Sequence, residues 1–478
     1  MEHNNILVLV VGAGDAGALI AQRFEENDPS LEVYECIGFV DDDEGKLGKK
    51  IHGYEVLGNI SQIPEIVNKY GISIVFCAIL SDDGSVVRRV IEAVRETDAR
   101  VRIFPAIHRF FEIGGLGQLR KVQPEDLLRR KPIQFKYPQK MLDQINDKTI
   151  LITGAAGSVG SELAKQLCGF NIKKLICLDF AESALFILEN FLTEDFPHIK
   201  KEFILADLRN KQNVNAIFNR HNPQIVYHAA AYKHVPILEK NPEQAISNNV
   251  VSLKNLLEAS VKQDIEIFVL ISTDKAVDPY SVMGMSKSLN EYMIQGYAAQ
   301  TDKKYITVRF GNVLESNGSV IPLFKSQIEK GGPITITDEK MTRYFMTRME
   351  AAQLVIQASI LGKSNKLYVL NMGEPYSIML VARDLVQLYG YRPDQDIQIK
   401  VIGPRKGEKL EEKLFKSSEN KKLSENPFIY EVVGPKPPVD LISDLTDQLI
   451  SIVEENPSLN PQEVKKHLSE AIKMLEKS

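Results

Sequence analysis

Ile150-Leu151-Ile152-Thr153-Gly154-Ala155-Ala156-Gly157-Ser158-Val159-Gly160-Ser161-Glu162-Leu163-Ala164 is an apolar run that ends in a glycine turn and continues as an amphipathic stretch. The pattern predicts a short buried strand, a tight turn and a helix, which is how a doubly wound α/β nucleotide domain begins. Gly154, Gly157 and Gly160 follow T-G-x-x-G-x-x-G spacing. Without Cβ atoms there, the backbone can approach a pyrophosphate, and the N–H groups around Ser158 and Val159 can point at it from the helix N-terminus.

The alternation continues downstream. Lys174 to Leu178 reads as a second strand closed by Asp179, about twenty residues past the glycine turn, where a carboxylate accepts from both ribose hydroxyls. A 2′-phosphate there would meet a like charge, so Asp179 argues for NAD over NADP. Phe203 to Ala206 is the next strand, with Leu208 behind it and Asp207 positioned to touch adenine. Ile225 to His228 then leads into Ala229, Ala230 and Ala231, small residues that leave room for a cofactor.

A similar unit stands upstream. Ile6 to Val11 runs into G-x-G-x-x-G at Gly12, Gly14 and Gly17, followed by a helix through Ala18 to Phe24 and a strand from Val33 to Val40 that ends at Asp41. Helices at Ile60 to Tyr70 and Val86 to Glu96, with strands at Ile72 to Ile79 and Val101 to Phe104, extend the alternation. Residues 1–110 are therefore expected to form a first Rossmann-like domain. Its turn, with Asp41, seats a nucleotide or regulatory metabolite, or else the domain is a scaffold that assembles subunits. Residues 111–146, rich in Gly and Pro, read as a linker with a short helix near Pro124 to Arg130 and a boundary close to Lys140.

Composition narrows the function classes. A chain of 478 residues calls for two or three domains. A net charge of -5 and only short basic clusters such as Arg129-Arg130-Lys131 argue against a nucleic-acid partner. The four cysteines show no C-x-x-C spacing, so buried free thiols in a reducing compartment are expected. No apolar run approaches the ~20 residues of a membrane span, and the first residues resemble neither a signal nor a transit peptide. A soluble, cytoplasmic protein is the expectation. His228 and His234 lack acidic or Cys partners at ligand spacing, so no metal is expected.

The chemistry-bearing stretch runs from Phe268 to Lys287. A buried strand delivers Ser272, Thr273, Asp274 and Lys275 at its C-terminal end, where ligands bind in an open α/β sheet. Polar groups clustered there are costly unless they touch a ligand or one another. Lys287 begins a helix that continues through Leu289 to Met293.

These residues, together with Tyr227-His-Ala-Ala-Ala-Tyr-Lys-His-Val-Pro236, Val308-Arg-Phe-Gly-Asn-Val313 and Arg405-Lys-Gly-Glu-Lys409, resemble the extended short-chain dehydrogenase/reductases. Within them the chain is similar to bacterial nucleotide-sugar 4,6-dehydratases of surface-glycan synthesis, chiefly those acting on UDP-N-acetylglucosamine. The resemblance implies two Rossmann-like doubly wound domains. The second would span residues 147–435, with a smaller C-terminal substrate-binding part, and residues 436–478 would be a helical tail. It also implies a homo-oligomer and a redox-neutral cycle with NAD: C4 is oxidised, water is lost across C5 and C6, and hydride returns to C6.

The resemblance assigns roles to residues. Asp274 would protonate the departing C6 hydroxyl and Lys275 would be the base at C5, with Lys287 and Lys233 as the like charges that lower its pKa. Thr273 would hold the C4 oxygen, and Lys287 the nicotinamide ribose. Lys233 and Asn312 would lie near the sugar and diphosphate, Arg343 and Arg405 would pair with the diphosphate, and Glu408 would hold uridine ribose hydroxyls. One departure stands out. The superfamily pairs Tyr with Lys four residues later, and here Met283 occupies the Tyr position, so the usual C4 base is missing. The chain resembles the subset that carries Met, leaving Asp274, Lys275 or a bound water as the first base. An epimerase, or a non-catalytic NAD-binding regulator or assembly protein, are the rival readings.

In the tail, Asn460, Pro461 and Glu463 mark a helix start, and Val464, Leu468, Ala471, Ile472 and Leu475 form one apolar stripe. The stripe packs on the protein or on a neighbouring subunit.

Overall fold

A computed structural model of the chain describes residues 5–26, 28, 31–78, 85–95, 97–103, 142–263, 265–316, 318–456 and 458–478. The expected linker helix, the boundary near Lys140, and Ile79, Glu96 and Phe104 lie outside the described residues.

The first sheet is built from β1 (Ile6–Val11), β2 (Tyr34–Val40), β3 (Lys50–Ile51), β4 (Tyr54–Gly58), β5 (Ile74–Cys77) and β6 (Arg100–Ile103), in the order β3-β4-β2-β1-β5-β6. Helices α1 (Asp15–Glu25), α2 (Ile63–Tyr70) and α3 (Ser85–Val94) make the crossovers. Only β3 and β4 pair antiparallel. Val8, Leu9, Val10 and Val11 are fully buried in the central strand, because a parallel strand is covered on both faces and reads as a continuous apolar run. The β3–β4 hairpin has no counterpart in the sequence expectation. Ile51 pairs with Tyr54 across a two-residue turn in which His52 and Gly53 both have positive φ, 46° and 89°. That turn matches the strand twist, but His-Gly is a weaker signal than Asn-Gly.

The second sheet has nine strands in the order β14-β15-β13-β12-β11-β10-β7-β8-β9. They are β7 (Thr149–Thr153), β8 (Lys174–Asp179), β9 (Lys201–Leu205), β10 (Ile225–His228), β11 (Ile267–Thr273), β12 (Lys304–Phe310), β13 (Lys366–Leu370), β14 (Asn420–Leu423) and β15 (Ile429–Val433). β9 through β13 run parallel, and the last two strands close the edge antiparallel. β7 feeds α4 (Ser158–Leu167), β8 feeds α5 (Glu182–Asp195), β9 feeds α6 (Lys211–His221) and α7 (Ser252–Lys262) leads into β11, whereas β10 lies on the other side of β7. The strand order therefore reverses between β7 and β10, and a crevice opens beyond their carboxyl ends. The α/β class with two Rossmann-like parallel sheets is the architecture expected from the sequence.

Helix α8 (Val282–Ala298) crosses this sheet and is buried on nearly every side. Its cover is the C-terminal pair α9 (Val439–Glu455) and α10 (Pro461–Lys477). Asn460 caps α10 by accepting from Gln462 N, and Pro461 occupies the first turn. Val464, Leu468, Ala471, Ile472 and Leu475 are all buried in one cluster with Leu253, Leu289 and Met293. The stripe thus packs on the protein itself.

By compactness the chain forms two units that do not follow chain order. One holds the described residues up to Ile103 together with Val320–Lys340 and Ser377–Gly403; the other holds the described residues from 142 to Ser319, then Met341–Tyr376 and Pro404–Ser478. Within the first, Arg95 is ion-paired with Asp384, and Arg100 with Asp396 at 3.6 Å. An insertion that leaves the catalytic stretch and returns to it has no composition signal, so a linear division cannot see it. All four cysteines are buried and free, and burial pushes the Cys36 thiol up to about 12.

If α10 is part of the core, Leu468→Ala removes a fully buried side chain and lowers unfolding stability by about 2–5 kcal/mol. A denaturant melt reads this, and a change below about 0.5 kcal/mol would place α10 outside the cooperative unit.

Candidate active site

The crevice starts at the glycine turn. Gly154 has φ 66°, and a Cβ there would lie 2.5 Å from Ala230 N, so strand end and turn touch backbone to backbone. A Cβ on Gly160 would lie 2.1 Å from Gly154 O, which lets α4 begin directly on the turn. Gly157 is the N-cap and Ser158 and Val159 open the helix, so their N–H groups form its positive end. A cavity of about 240 Å³ lies against this turn, lined by Gly154, Gly157, Asp179, Asp207, Leu208 and Ala230 among others. Asp179 Oδ2 accepts from Ala156 N at 2.9 Å and Oδ1 from Ala181 N at 3.0 Å, which fixes the carboxylate at the cavity edge. Asp207 is engaged by the Arg209 guanidinium through both oxygens, an ion pair that holds its carboxyl below the usual range. Ala229 and Ala230 are half-buried. His228 is buried and shares a hydrogen bond of 2.7 Å with Thr153 Oγ1; burial, then the nearby Lys287, pushes its pKa down to about 3, so it stays neutral. The residues present fit a dinucleotide.

The second part of the site is the turn after β11. Thr273 Oγ1 donates to Asp274 Oδ1 at 2.9 Å and accepts weakly from Lys275 N at 3.4 Å. Asp274 is fully buried. Lys275 Nζ donates to Asp274 Oδ1 at 2.9 Å and to Asn312 Oδ1 at 3.0 Å. Asp274 Oδ2 has no hydrogen-bond partner, and a Cβ on Gly311 would lie 3.0 Å from it, so Gly311 leaves that oxygen its space. The charged group placed beside Lys275 is thus a carboxylate, where the sequence expectation was the like charges of Lys287 and Lys233. A second correction concerns α8. Ser281 Oγ accepts from Gly284 N, so the helix starts at Val282 and Lys287 lies in its second turn instead of at its start. Met283 and Lys287 therefore share one helix face, four residues apart. Met283 is buried in the apolar core. Lys287 Nζ donates to Ile271 O at 2.7 Å, and burial pushes its pKa down to about 8 against the pull of Glu291.

The expected substrate residues divide. Asn312 joins the Lys275 cluster, while Lys233 is exposed, its pKa lowered by partial desolvation and then by the Arg348 charge. Arg348, at the start of the helix Arg348–Leu361, donates to Glu315 O. The sequence expectation passed over it, although its charge acts on Lys233. Arg343 departs from its expected role: its guanidinium donates to the carbonyls of Thr342, Lys409 and Leu410 at 2.7–3.0 Å, so it clamps the segment after Glu408. Arg405 is exposed and Glu408 half-buried at the two ends of a short turn. Among the described residues, no three His, Cys, Asp or Glu side chains gather as a metal site, and no helix is long and apolar enough to cross a membrane.

In the first unit, Gly12 has φ 100° and a Cβ on Gly17 would lie 1.9 Å from Gly12 O, while one on Gly14 would meet nothing within 4 Å. Asp41 Oδ2 accepts from Ala13 N at 2.7 Å and from Lys46 Nζ at 3.0 Å. Burial works against the charged form of Asp41, but Asp43 N, Ala13 N and Lys46 outweigh it and hold the carboxyl below its ordinary range.

Residues 150–433 match the family model described as polysaccharide biosynthesis protein. The chain belongs to that family. Residues 1–105 match a second model, a CoA-binding domain. The probable polysaccharide biosynthesis protein EpsC of Bacillus subtilis is 40% identical over 415 residues, 86% of this chain and 68% of that protein. The capsular polysaccharide biosynthesis protein CapD of Staphylococcus aureus is 39% identical, over 86% of this chain and 69% of its own length. A UDP-glucose 4-epimerase of Rickettsia canadensis is 34% identical over 60% of this chain and 83% of its own. Among solved structures, Pen from Bacillus thuringiensis is similar with TM-score 0.56 and 28% identity, covering 61% of this chain and 90% of that one. The likeness is one of fold, a Rossmann-like parallel α/β sheet.

Two predictions test the site. Gly160→Ala forces a Cβ against Gly154 O and is expected to weaken NAD binding at least about tenfold. Calorimetric titration of a variant confirmed as folded reads this, and wild-type affinity would detach the turn from the cofactor. For Lys287, the unfolded chain holds a proton that the folded protein has released between pH about 8 and 10.5. Folding stability from this group therefore rises with pH through that window, by roughly 3 kcal/mol at most. The stability difference between wild type and Lys287→Met should shift toward wild type from pH 8 to 10, and a constant difference would contradict the burial argument.

Proposed function

We propose that the protein is a UDP-N-acetylglucosamine 4,6-dehydratase that uses NAD in the synthesis of a bacterial surface polysaccharide. The observation that carries this reading is the Thr273–Asp274–Lys275 cluster. A carboxyl and an amine share one hydrogen bond at a strand end beside the dinucleotide crevice. Elimination of water needs an acid and a base at adjacent carbons, whereas exchange of a hydride at a single carbon does not. The family and its capsule-synthesis relatives support the polysaccharide context, and the UDP-glucose 4-epimerase relative supports a UDP-sugar.

NAD, when bound, supplies the oxidant for C4 and the hydride that returns at C6. The protein's own residues manage the protons. Transfer of one proton across the 2.9 Å hydrogen bond from Lys275 Nζ to Asp274 Oδ1 turns an ion pair into a neutral amine and a carboxylic acid, which are the base and the acid required. Lys275 then takes the C5 proton, acidified by the C4 ketone, while Asp274 protonates the C6 hydroxyl, which departs as water. Lys275 returns its proton to C5. The Thr273 hydroxyl holds the C4 oxygen, and Asn312 keeps Lys275 in place. Asp179 receives the adenosine ribose, and Lys287 is the residue we assign to the nicotinamide ribose. Lys233 and Arg348 are the cations for the diphosphate.

The Rickettsia epimerase likeness favours a second reading, interconversion at C4, and the two separate at C5. In deuterated water with UDP-N-acetylglucosamine, dehydration gives a 4-keto product, loss of one water and deuterium at C5; epimerisation leaves C5–H untouched. Lys275→Ala is expected to lose C5 labelling and at least about 100-fold in turnover. Mass spectrometry and NMR read both, and a Lys275→Ala protein that turns over like wild type would remove the assignment.

A further inference from the structure

The proton count of the dehydration leaves one transfer without an owner. Oxidation at C4 frees the hydroxyl proton, and Asp274 gives one up to the departing water, so over a cycle a proton must travel from the first place to the second. Lys275 borrows and returns its own. Met283, at the position where a phenol would take part, has no proton to move.

A second carboxyl stands at this site. The segment Lys409–Glu412 lies across the turn after β11: Lys409 Nζ donates to Val277 O at 2.8 Å, while Thr342 N and the Arg343 guanidinium donate to its carbonyls. This places the Glu412 side chain in the interior, 4% exposed, with Oε2 3.8 Å from Lys409 Nζ and no hydrogen-bond partner. That separation is too long for a hydrogen bond. Asp274 Oδ2 is likewise buried and without a partner. Two carboxyl oxygens of one site thus lie out of water with nothing bonded to them, which is costly for charged oxygens and tolerable where a proton is held and passed on.

The charged groups facing Glu412 are Lys275 and Asp274 from the turn, Arg343 from its own strand, and Lys409 from the same segment. Burial pushes the carboxyl above its ordinary range and Asp274 adds to this, while the three cations oppose it. Glu412 therefore keeps its proton at pH values where an exposed glutamate has lost it.

We propose that Glu412 is a positioning residue that relays protons through Asp274, an inference that rests on the dehydratase reading. As Asp274 yields its proton to the C6 hydroxyl and the C–O bond breaks, Glu412 re-protonates Asp274. That proton is the one set free earlier, when the C4 hydroxyl was oxidised, and taken up then by the Glu412 carboxylate. One O–H bond breaks at C4 and one forms on the departing water, so the cycle needs no proton from solvent.

The test is the pH profile of UDP-N-acetylglucosamine dehydration by wild type, Glu412→Gln and Glu412→Asp. In wild type, kcat declines on the acid side as Glu412 is protonated before C4 is oxidised, at pH values above the ordinary glutamate range. Glu412→Gln is expected to lower kcat ~10- to 100-fold, a part of what a general acid contributes, to leave KM within about twofold, and to lose that decline. Glu412→Asp should recover part of kcat and keep the decline. Glu412→Gln with wild-type kcat and profile overturns the relay, and so does a lowered kcat with the decline intact, which marks a structural role. A wild-type protein that dehydrates no nucleotide sugar sinks the dehydratase reading itself, whatever Glu412 does. Thermal unfolding of each variant confirms the fold before rates are compared.

Discussion

The site depends on one buried cation. Arg309, on β12, is fully buried, and taking a guanidinium out of water is tolerable only if its donors are satisfied. They are: Nε and Nη2 donate to Glu291 at 3.0 and 2.6 Å, Nη1 and Nη2 to Glu419 at 2.7 and 3.0 Å, and Nη1 also to Leu414 O. Glu291 Oε1 in turn accepts from Ser272 Oγ at 2.6 Å. One side chain thereby ties β12, α8, the end of β11 and the segment around residues 414–419 together. Ser272 is the residue before Thr273, so the network sets the height at which the Thr273–Asp274–Lys275 turn leaves the sheet.

Helix α8 is the second member of this arrangement. Met283, Lys287 and Glu291 follow one another at four-residue steps and so lie along one stripe. That stripe presents an amine and a carboxylate to the ends of β11 and β12, while the Met283 thioether packs in the apolar core. Lys287 reaches the Ile271 carbonyl, and Glu291 reaches Ser272 and Arg309. A helix buried on the opposite side as well needs apolar cover, and α9 and α10 supply it. Lys416 joins this cover to the network by donating to Tyr292 Oη and to Glu476 near the end of α10, both at 2.9 Å. The C-terminal helices are in this sense part of the support for the catalytic turn.

What could be read in the sequence follows from what each signal physically encodes. Buried parallel strands and glycine turns are local and repetitive, so β1, β7, β8, β10 and β11 are legible from apolar runs and spacing. The start of α8 is less so, because Ser281 as a cap follows Pro279 and Tyr280 in a stretch with no clear periodicity. The hairpin at His52-Gly53 lacks the usual dipeptide. Arg343 shows the limit for side chains: its type and motif suit a diphosphate, but where its donors go depends on carbonyls nearly seventy residues away in the chain. Arg348 and Glu412 belong to no obvious motif. Their significance comes from burial and from the charges of Lys233, Lys275 and Asp274 near them, which only the fold brings together.

The two glycine turns show why a motif tells more of fold than of ligand. In both, the third glycine packs so closely on the carbonyl of the first that a Cβ would sit 1.9 Å from Gly12 O or 2.1 Å from Gly154 O. In both, the aspartate at the end of the second strand accepts from a backbone N–H inside the turn, Ala13 N at Asp41 and Ala156 N at Asp179. Helix-on-turn packing and closure of the turn therefore demand these residues whether or not a ligand is bound. The turns differ in what else the aspartate holds. Asp41 also carries the Lys46 ammonium, so a ribose hydroxyl would have to compete with an ion pair there. Asp179 is held by the N–H groups of Ala156 and Ala181 at the rim of a cavity, with lone pairs left to accept further hydrogen bonds. The same glycine pattern thus supports a dinucleotide seat at the second turn on grounds that the first does not share, and the residue that separates them is the partner of the aspartate.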